Sequence, residues 1–307
     1  MGRAAKIEIE VAAMRNAYLL MHAAILLWGF TGIFGRAIDM SEGMIVWYRM
    51  IISAVGLAPF LLRKGFKLPQ TKDLLTIAGV GSLVALHWVL FYASIKASNV
   101  SIALSCFSTV SLFTAVLEPL FRRQKLQVPE ILLSLCVIGG LYLIFMVRQT
   151  YVAGMLLAVA SAFVGSLFTI FNKSLTSKHN AIDITFYELL TGFVILTLLL
   201  PPYFDLTDTG FQIPTNIDWV WLVLLSLLCT SLAFTISIQA LKKLDAFTMN
   251  LSVNLEPLYS IVLAWFFFGE EELFSPGFIM GTMVILASVA FHTRYKWLKS
   301  KQTNTSI

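Results

Sequence analysis

Four ionisable side chains sit inside otherwise apolar runs: Arg49, His87, Glu188 and Glu256. In hydrocarbon each would cost roughly 2.5–3.5 kcal/mol on insertion scales, so such groups face a cavity, a partner or the interface. Glu256 carries the sharpest chemistry because Pro257 follows it. The proline lacks an N–H, so the carbonyl of Val253 loses its helical partner and the helix is expected to kink there. A carboxylate beside a free carbonyl could hold a cation or a proton; a protonated glutamate that only supports packing is the alternative. Thr248, Ser252 and Glu256 share one helical face at four-residue spacing. Asn250 and Asn254 form a second stripe, suited to hydrogen bonds between helices. His87 could donate, accept or carry a proton, with Phe91 on its face and Trp88 and Tyr92 beside it. Arg49 follows Trp47 and Tyr48 and has two readings, snorkelling to the outer headgroups or recognition of a substrate carboxylate.

These residues must be positioned by membrane helices. The chain of 307 residues is 58% hydrophobic and 13% charged, with mean hydropathy +0.82, too few charges to coat a soluble protein of this size. Ten apolar spans are expected at about 17–36, 43–62, 74–95, 98–120, 129–147, 152–173, 183–203, 218–239, 245–268 and 275–294. Each is long enough to cross ~30 Å of hydrocarbon. Of the 22 Lys and Arg residues, only Arg36, Lys96 and Arg148 fall in the gaps opposite the N-terminus, and Arg49 falls within a span. The other eighteen lie on the N-terminal side, the bias that marks a cytoplasmic face, so both termini are expected in the cytoplasm. The first apolar run is too long for a cleaved leader. Lys299–Ile307 reads as a polar, disordered cytoplasmic tail. Cys106, Cys136 and Cys229 are isolated within spans and imply no disulfide framework.

The sequence also repeats itself. Ile33-Phe34 and Arg36 align with Ile170-Phe171 and Lys173, and Trp47-Tyr48-Arg49 with Phe186-Tyr187-Glu188. Ala93, Leu126 and Pro129 align with Ala240, Leu273 and Pro276 at one constant offset. Residues 1–148 and 149–298 therefore form two five-helix repeats. Five is odd, so the second copy enters the membrane upside-down. Inverted repeats enclose a site near the midplane and alternate its access. The fold class is an all-α membrane protein of ten transmembrane helices in two inverted repeats. The offset carries Thr248, Ser252 and Glu256 onto Ser101, Ser105 and Thr109, a matching polar stripe in span 4.

Two stretches carry a family resemblance. One is Ala240-Leu-Lys-Lys-Leu-Asp-Ala-Phe247 with Leu255-Glu-Pro257 and Trp265-Phe-Phe-Phe-Gly-Glu270; the other runs from Tyr92 to Ser101 and on to Glu118-Pro119. They resemble the EamA-type members of the drug/metabolite transporter superfamily. The resemblance implies a ten-helix inner-membrane carrier that exports small metabolites such as amino acids. The first half departs from the pattern, with Val110 in the place of Pro257 and Arg122-Arg123 in the place of Gly269-Glu270.

The expected substrate site comprises Trp28, Tyr48, His87, Trp88, Phe91, Ser105, Thr109, Ser252 and Glu256, with spans 3, 4, 8 and 9 lining it. Glu256, His87, Arg49 and Pro257 are expected to couple or gate. The expected partners are a small-molecule solute, the lipid bilayer and protons, with the protein a monomer or weak dimer. No nucleotide loop or Cys/His cluster appears, so neither cofactor nor metal is expected, and the basic balance reflects headgroups rather than nucleic acid. The rival reading is a membrane-embedded enzyme acting on a lipid-linked substrate, for which an outer loop at 202–217 supplies Asp205, Asp208 and Asp218 but no basic partner. Glycines at 29, 32 and 35, at 139 and 140, and at 277 and 281 suit close helix packing.

Overall fold

Apolar runs in lipid must satisfy their backbone internally, which leaves helices as the only open solution. The computed structural model describes residues 3–63, 65, 68–145, 151–268 and 276–305, and the regular structure there is helical throughout. Span 1 is α1 (Arg3–Gly29) and α2 (Thr31–Ala37), span 2 is α3 (Glu42–Arg63) and span 3 is α4 (Thr71–Ala97). Span 4 is divided into α5 (Val100–Phe107) and α6 (Val110–Arg122), and span 5 is α7 (Val128–Phe145). Spans 6 and 7 are α8 (Val152–Leu175) and α9 (Ala181–Thr207). Span 8 is α10 (Asn216–Ser226), a π segment (Leu227–Leu232) and α11 (Ala233–Leu241). Span 9 is divided into α12 (Ala246–Val253) and α13 (Glu256–Phe268), and span 10 is α14 (Pro276–Thr305). The ten expected spans are all present as helix. The tail differs from expectation, because α14 continues helically to Thr305. Arg148, Lys64, Lys67 and the Gly269-Glu270 pair lie outside the described residues.

Helix pairing displays the inverted repeat. Spans 2 and 7, 4 and 9, and 5 and 10 pack as like with like. Span 3 packs on span 6 as span 8 packs on span 1, and span 3 meets span 7 as span 8 meets span 2. Side chains such as Leu62, Leu75, Leu156 and Leu198 point outward as exposed apolar surface, as lipid requires. Inside, one apolar cluster gathers Met44, Met50, Val84, Ile184 and Leu225, and another gathers Met21, Ile25, Leu141, Phe247 and Ile285.

Glycine decides one of these crossings. A Cβ on Gly140 would lie 3.0 Å from the carbonyl oxygen of Gly281, and one on Gly281 would collide with the carbonyl of Gly140. Spans 5 and 10 thus touch backbone to backbone, so these glycines serve packing within the chain.

Spans 4 and 9 break at the same repeat position by different chemistry. In span 9, Pro257 withholds its N–H, α12 ends at Val253, and the chain turns through Asn254 and Leu255, whose N–H groups reach back to Leu251 and Ser252. At the break in span 4 no proline is present, the one in that span being Pro119, ten residues further on. Ser108, Thr109 and Ser111 instead donate their hydroxyls to the carbonyls three residues earlier, at 2.6, 2.7 and 3.2 Å. Hydroxyls that bond the backbone in this way compete with the helical ladder. Both broken spans begin alike: Asn99 caps the N–H of Ile102 at 2.9 Å and Asp245 caps that of Thr248 at 2.7 Å.

Candidate functional site

The two breaks open a cavity of about 90 Å³ between the repeats. Its walls come from seven spans: Trp28 and Thr31; Arg49; His87, Trp88 and Phe91; Phe107 and Val110; Gly165, Phe168, Thr169 and Asn172; Phe234, Ser237, Ile238 and Leu241; and Met249, Asn250, Val253 and Glu256. The cavity is thus an aromatic box with one cation and one carboxyl among the side chains on its wall. Spans 3, 4, 8 and 9 line it as expected, and spans 1, 2 and 6 join them.

Arg49 is the centrepiece, and its placement corrects the snorkelling reading. Arg49 is 1% exposed, some seven residues inside α3 and so ~10 Å from its N-terminal end. It does not reach the headgroups because partners hold it inward. Nε donates to Thr230 Oγ1 at 2.6 Å, Nη1 to the Tyr92 hydroxyl at 3.1 Å and Nη2 to the carbonyl of Cys229 at 3.4 Å. The guanidinium carbon lies 3.9 Å from the centre of the Trp88 ring, a cation–π arrangement. Cys229 and Thr230 belong to the π segment, whose wider winding frees a carbonyl and a hydroxyl for an outside donor. No carboxylate lies within ion-pair distance of Arg49 among the described residues. The cation is therefore hydrogen-bonded by neutral groups, and Glu256 is the carboxyl that shares its cavity.

Glu256 opens α13, directly after the break, and is 8% exposed. It sits about ten residues along span 9, ~15 Å from the inner end and so near the midplane. No hydrogen bond joins its carboxyl to the described residues. His87 is tied to span 6. Its Nδ1 lies 3.0 Å from the carbonyl of Ser161 and 2.9 Å from Ser161 Oγ, which itself donates to the His87 carbonyl at 2.9 Å. A carbonyl can only accept, so Nδ1 carries the proton and Nε2 is left as the acceptor nitrogen. Phe91, Phe107 and Phe168 surround the ring at 5.2–6.3 Å.

Of the expected polar stripes, Glu256 lines the cavity, whereas Thr248, Ser252, Ser105 and Thr109 are not among its lining residues. Ser252 donates to the carbonyl of Thr248 at 2.8 Å, and Thr248 meets His292 of span 10 at 2.8 Å. Thr109 is spent on the break in span 4. Ser105 is buried, and its carbonyl accepts from Ser108. The side chain of Ser101 lies outside the described set. The reason is the break itself: turning the chain at 254–255 shifts the helical phase, so that Met249, Asn250 and Val253 share the cavity with Glu256. Asn250 still bridges helices as expected, donating to Thr114 Oγ1 at 2.7 Å and accepting from Thr169 Oγ1 at 3.2 Å.

Tyr48 also lies elsewhere. Its hydroxyl donates to the carbonyl of Gln212 at 3.2 Å, and its ring packs against Trp47, Phe211 and Trp219. It belongs to an outer cover in which the segment around Gln212 folds over the link between spans 1 and 2. There the Ser41 N–H donates to Gln212 Oε1 at 2.6 Å and the Asp39 N–H to Asp218 Oδ1 at 3.2 Å. Asp218 is also half of a capping box with Thr215, so this outer aspartate is structural. Pro257 lies beside the cavity as the cause of the break. Trp28, His87, Trp88, Phe91, Arg49 and Glu256 are the expected residues that the fold brings together.

The inner end is held by charge. Lys296 of α14 joins Asp245 at 2.9 Å and Glu130 at 3.3 Å. Glu118 pairs with Arg122 at 3.3 Å and accepts the N–H groups of Ala246 and Phe247 at 3.4 and 2.9 Å. Lys173 donates to the carbonyls of Leu241 and Lys242, which end α11. Sequence reasoning missed the span 6 wall. Asn172, between the aligned Phe171 and Lys173, was its available signal.

Comparison with known proteins agrees with this architecture. The sequence profile of the EamA-like transporter family matches residues 15–146 and again 152–294. The chain is 23% identical over 285 residues to the uncharacterized transporter YxxF of Bacillus subtilis (strain 168), covering 90% of this chain and 88% of that one. It is 23% identical over 265 residues to a "probable terminal-alkyne amino-acid exporter" of Streptantibioticus cattleyicolor, covering 84% and 86%. A solved crystal structure shares the fold with a TM-score of 0.71 at 18% identity, over 91% of this chain and 96% of the other. The protein is a multi-pass membrane transporter of a small molecule rather than an enzyme. Two successive profile matches, spanning both repeats, make this chain a member of the EamA-like transporter family.

Proposed function

We propose that this transporter exports small amphipathic metabolites of the amino-acid type across the bacterial inner membrane, with both termini in the cytoplasm. It works as a monomer or weak dimer, alternating access to the cavity between its two repeats and drawing on the proton gradient. The observation that carries the reading is the pairing of Arg49 and Glu256 as opposite charges in one aromatic box. A zwitterion fits such a box, with its carboxylate on the Arg49 fork, its ammonium on Glu256 and its apolar part among Trp88, Phe91, Phe168 and Phe234. Hydrogen bonds to charged groups contribute about 1.5–3 kcal/mol each, enough to select a charged headgroup, while the aromatic walls accept varied side chains. The terminal-alkyne amino-acid exporter named above supports this substrate class.

Purified protein in liposomes tests it. Labelled L-phenylalanine should cross faster under an imposed pH gradient, and Glu256→Gln should lose both substrate stabilisation and the response to pH. Flux through Glu256→Gln with the wild-type pH response would remove Glu256 from the mechanism. A wild-type protein that neither binds nor moves zwitterions would sink the reading.

A further inference from the structure

Glu188 is 0% exposed, yet the cavity does not contain it. It lies seven residues into α9, at the position that Arg49 occupies in the first repeat. Oε2 accepts one bond, from Asn172 Nδ2 at 3.3 Å, and Oε1 has no partner. Two more buried oxygens nearby are also unpartnered: Asn172 Oδ1, on the same amide, and Thr185 Oγ1, three residues earlier on the same face of α9. Thr185 is 0% and Asn172 1% exposed.

An ionised carboxylate at such a place needs donors on both oxygens or a cation beside it. Neither is present among the described residues. Among the described residues, no titratable group on the elements packed around α9 bonds the Glu188 carboxyl. Arg49 of α3 is held by Thr230 and Tyr92. On α4, Asp73 pairs with Lys178 and His179, and His87 is tied to Ser161. Lys173 of α8 caps α11, and α11 itself carries no titratable side chain. On α9, Asp183 and Tyr187 make no bond to the Glu188 carboxyl. A neutral acid is what the pocket suits: an O–H on Oε1 becomes a donor, and the Asn172 amide, whose Nδ2 already bonds Oε2, carries an idle oxygen to accept it.

We propose that Glu188, with Asn172, forms a proton-binding site beside the inner end of the substrate cavity. Asn172 links the two, since it both lines the cavity and bonds the carboxyl. The step is simple: a hydronium ion entering with cavity solvent gives its proton to Oε1, and the carboxylate becomes a neutral acid with water released. The inference rests on the proton coupling proposed above and moves part of it to a group that never touches the substrate.

Infrared difference spectroscopy of the purified full-length protein tests the site without any substrate. At neutral pH the wild type should show the carbonyl band of a protonated, buried carboxylic acid. The band should vanish in Glu188→Gln, remain in Glu256→Gln, and shift in Asn172→Ala, which removes its hydrogen-bond partner. A band unchanged in Glu188→Gln overturns the proposal, as does a band abolished by sodium at constant pH, which would make this a sodium site. If Glu188→Gln does not fold, the shift in Asn172→Ala decides the matter. In liposomes, Glu188→Gln should reduce pH-driven accumulation of L-phenylalanine at least fivefold. A wild type that shows the band yet moves no L-phenylalanine would support the proton site and count against the zwitterion reading alone.

Discussion

Spans 4 and 9 are the same helix drawn twice, and they show which features belong to the backbone and which to the chemistry. Both start on an Asx cap and both break at one position. Yet one breaks through three hydroxyls and the other through a proline that follows a carboxyl. The shared break implies that the cavity needs two interrupted walls whatever causes them. The unshared residues carry the polarity. Span 9 presents Asn250 and Glu256, whereas span 4 presents Phe107 and Val110. Spans 2 and 7 repeat the lesson, with Arg49 in one and Glu188 in the other at equivalent positions. The cavity is symmetric in backbone and asymmetric in charge.

Removing the charge asymmetry should have the largest effect. Arg49→Leu deletes the cation and strands Thr230, Tyr92 and the Cys229 carbonyl. Loss of a charge-assisted contact of about 3 kcal/mol corresponds to ~100-fold weaker binding of an amino acid. Arg49→Lys should recover little, because an ammonium cannot reach three partners in a planar fork. Titration calorimetry with L-phenylalanine measures both. Equal affinity for zwitterion and amine in wild type and Arg49→Leu would show that Arg49 serves packing alone.

Much of the architecture is legible in the sequence. The apolar runs give the ten spans, the duplicated motifs give the two repeats, and Pro257 gives the break in span 9. What stays hidden depends on partners distant in sequence. Arg49 next to Trp47 and Tyr48 looks interfacial; the groups that draw it inward, Cys229 and Thr230, are about 180 residues away in a π segment without a sequence mark of its own. The stripe Thr248–Ser252–Glu256 assumes one unbroken helix, so the break it flanks defeats it. Thr109 reads as a cavity residue because a hydroxyl turned on its own backbone looks the same in sequence as one turned to a solute. Tyr48 is claimed by Gln212, whose position over span 2 only the folded outer loop determines.

A smaller effect is expected where the two breaks differ in cause. In span 9 the interruption depends on one residue, so Pro257→Ala should let the helix close across 254–255. Closing it adds helical bonds and removes an unfavourable residue, and the melting temperature should rise. The same change turns Glu256 away from the cavity, so transport should fall about tenfold, a stability–activity trade-off. Thermal unfolding and liposome flux on one preparation would show it. A variant that gains stability and keeps full transport would mean that neighbouring helices, not Pro257, impose the break.

Span 4 should respond least to a single change, because its interruption is shared. Ser108→Ala removes one hydroxyl bond to the backbone, a contact of roughly 0.5–1.5 kcal/mol net, and leaves Thr109 and Ser111 in place. Transport should fall less than twofold and stability should move by under about 1 kcal/mol. Replacing all three hydroxyls with alanine or valine should then match Pro257→Ala, closing span 4 and slowing transport. That ordering follows from the comparison: a break built on one residue is brittle and a break built on three is redundant. If Ser108→Ala alone proved as damaging as Pro257→Ala, the three hydroxyls would not be equivalent contributors, and the bond to Ser105, the shortest of the three at 2.6 Å, would hold the break by itself.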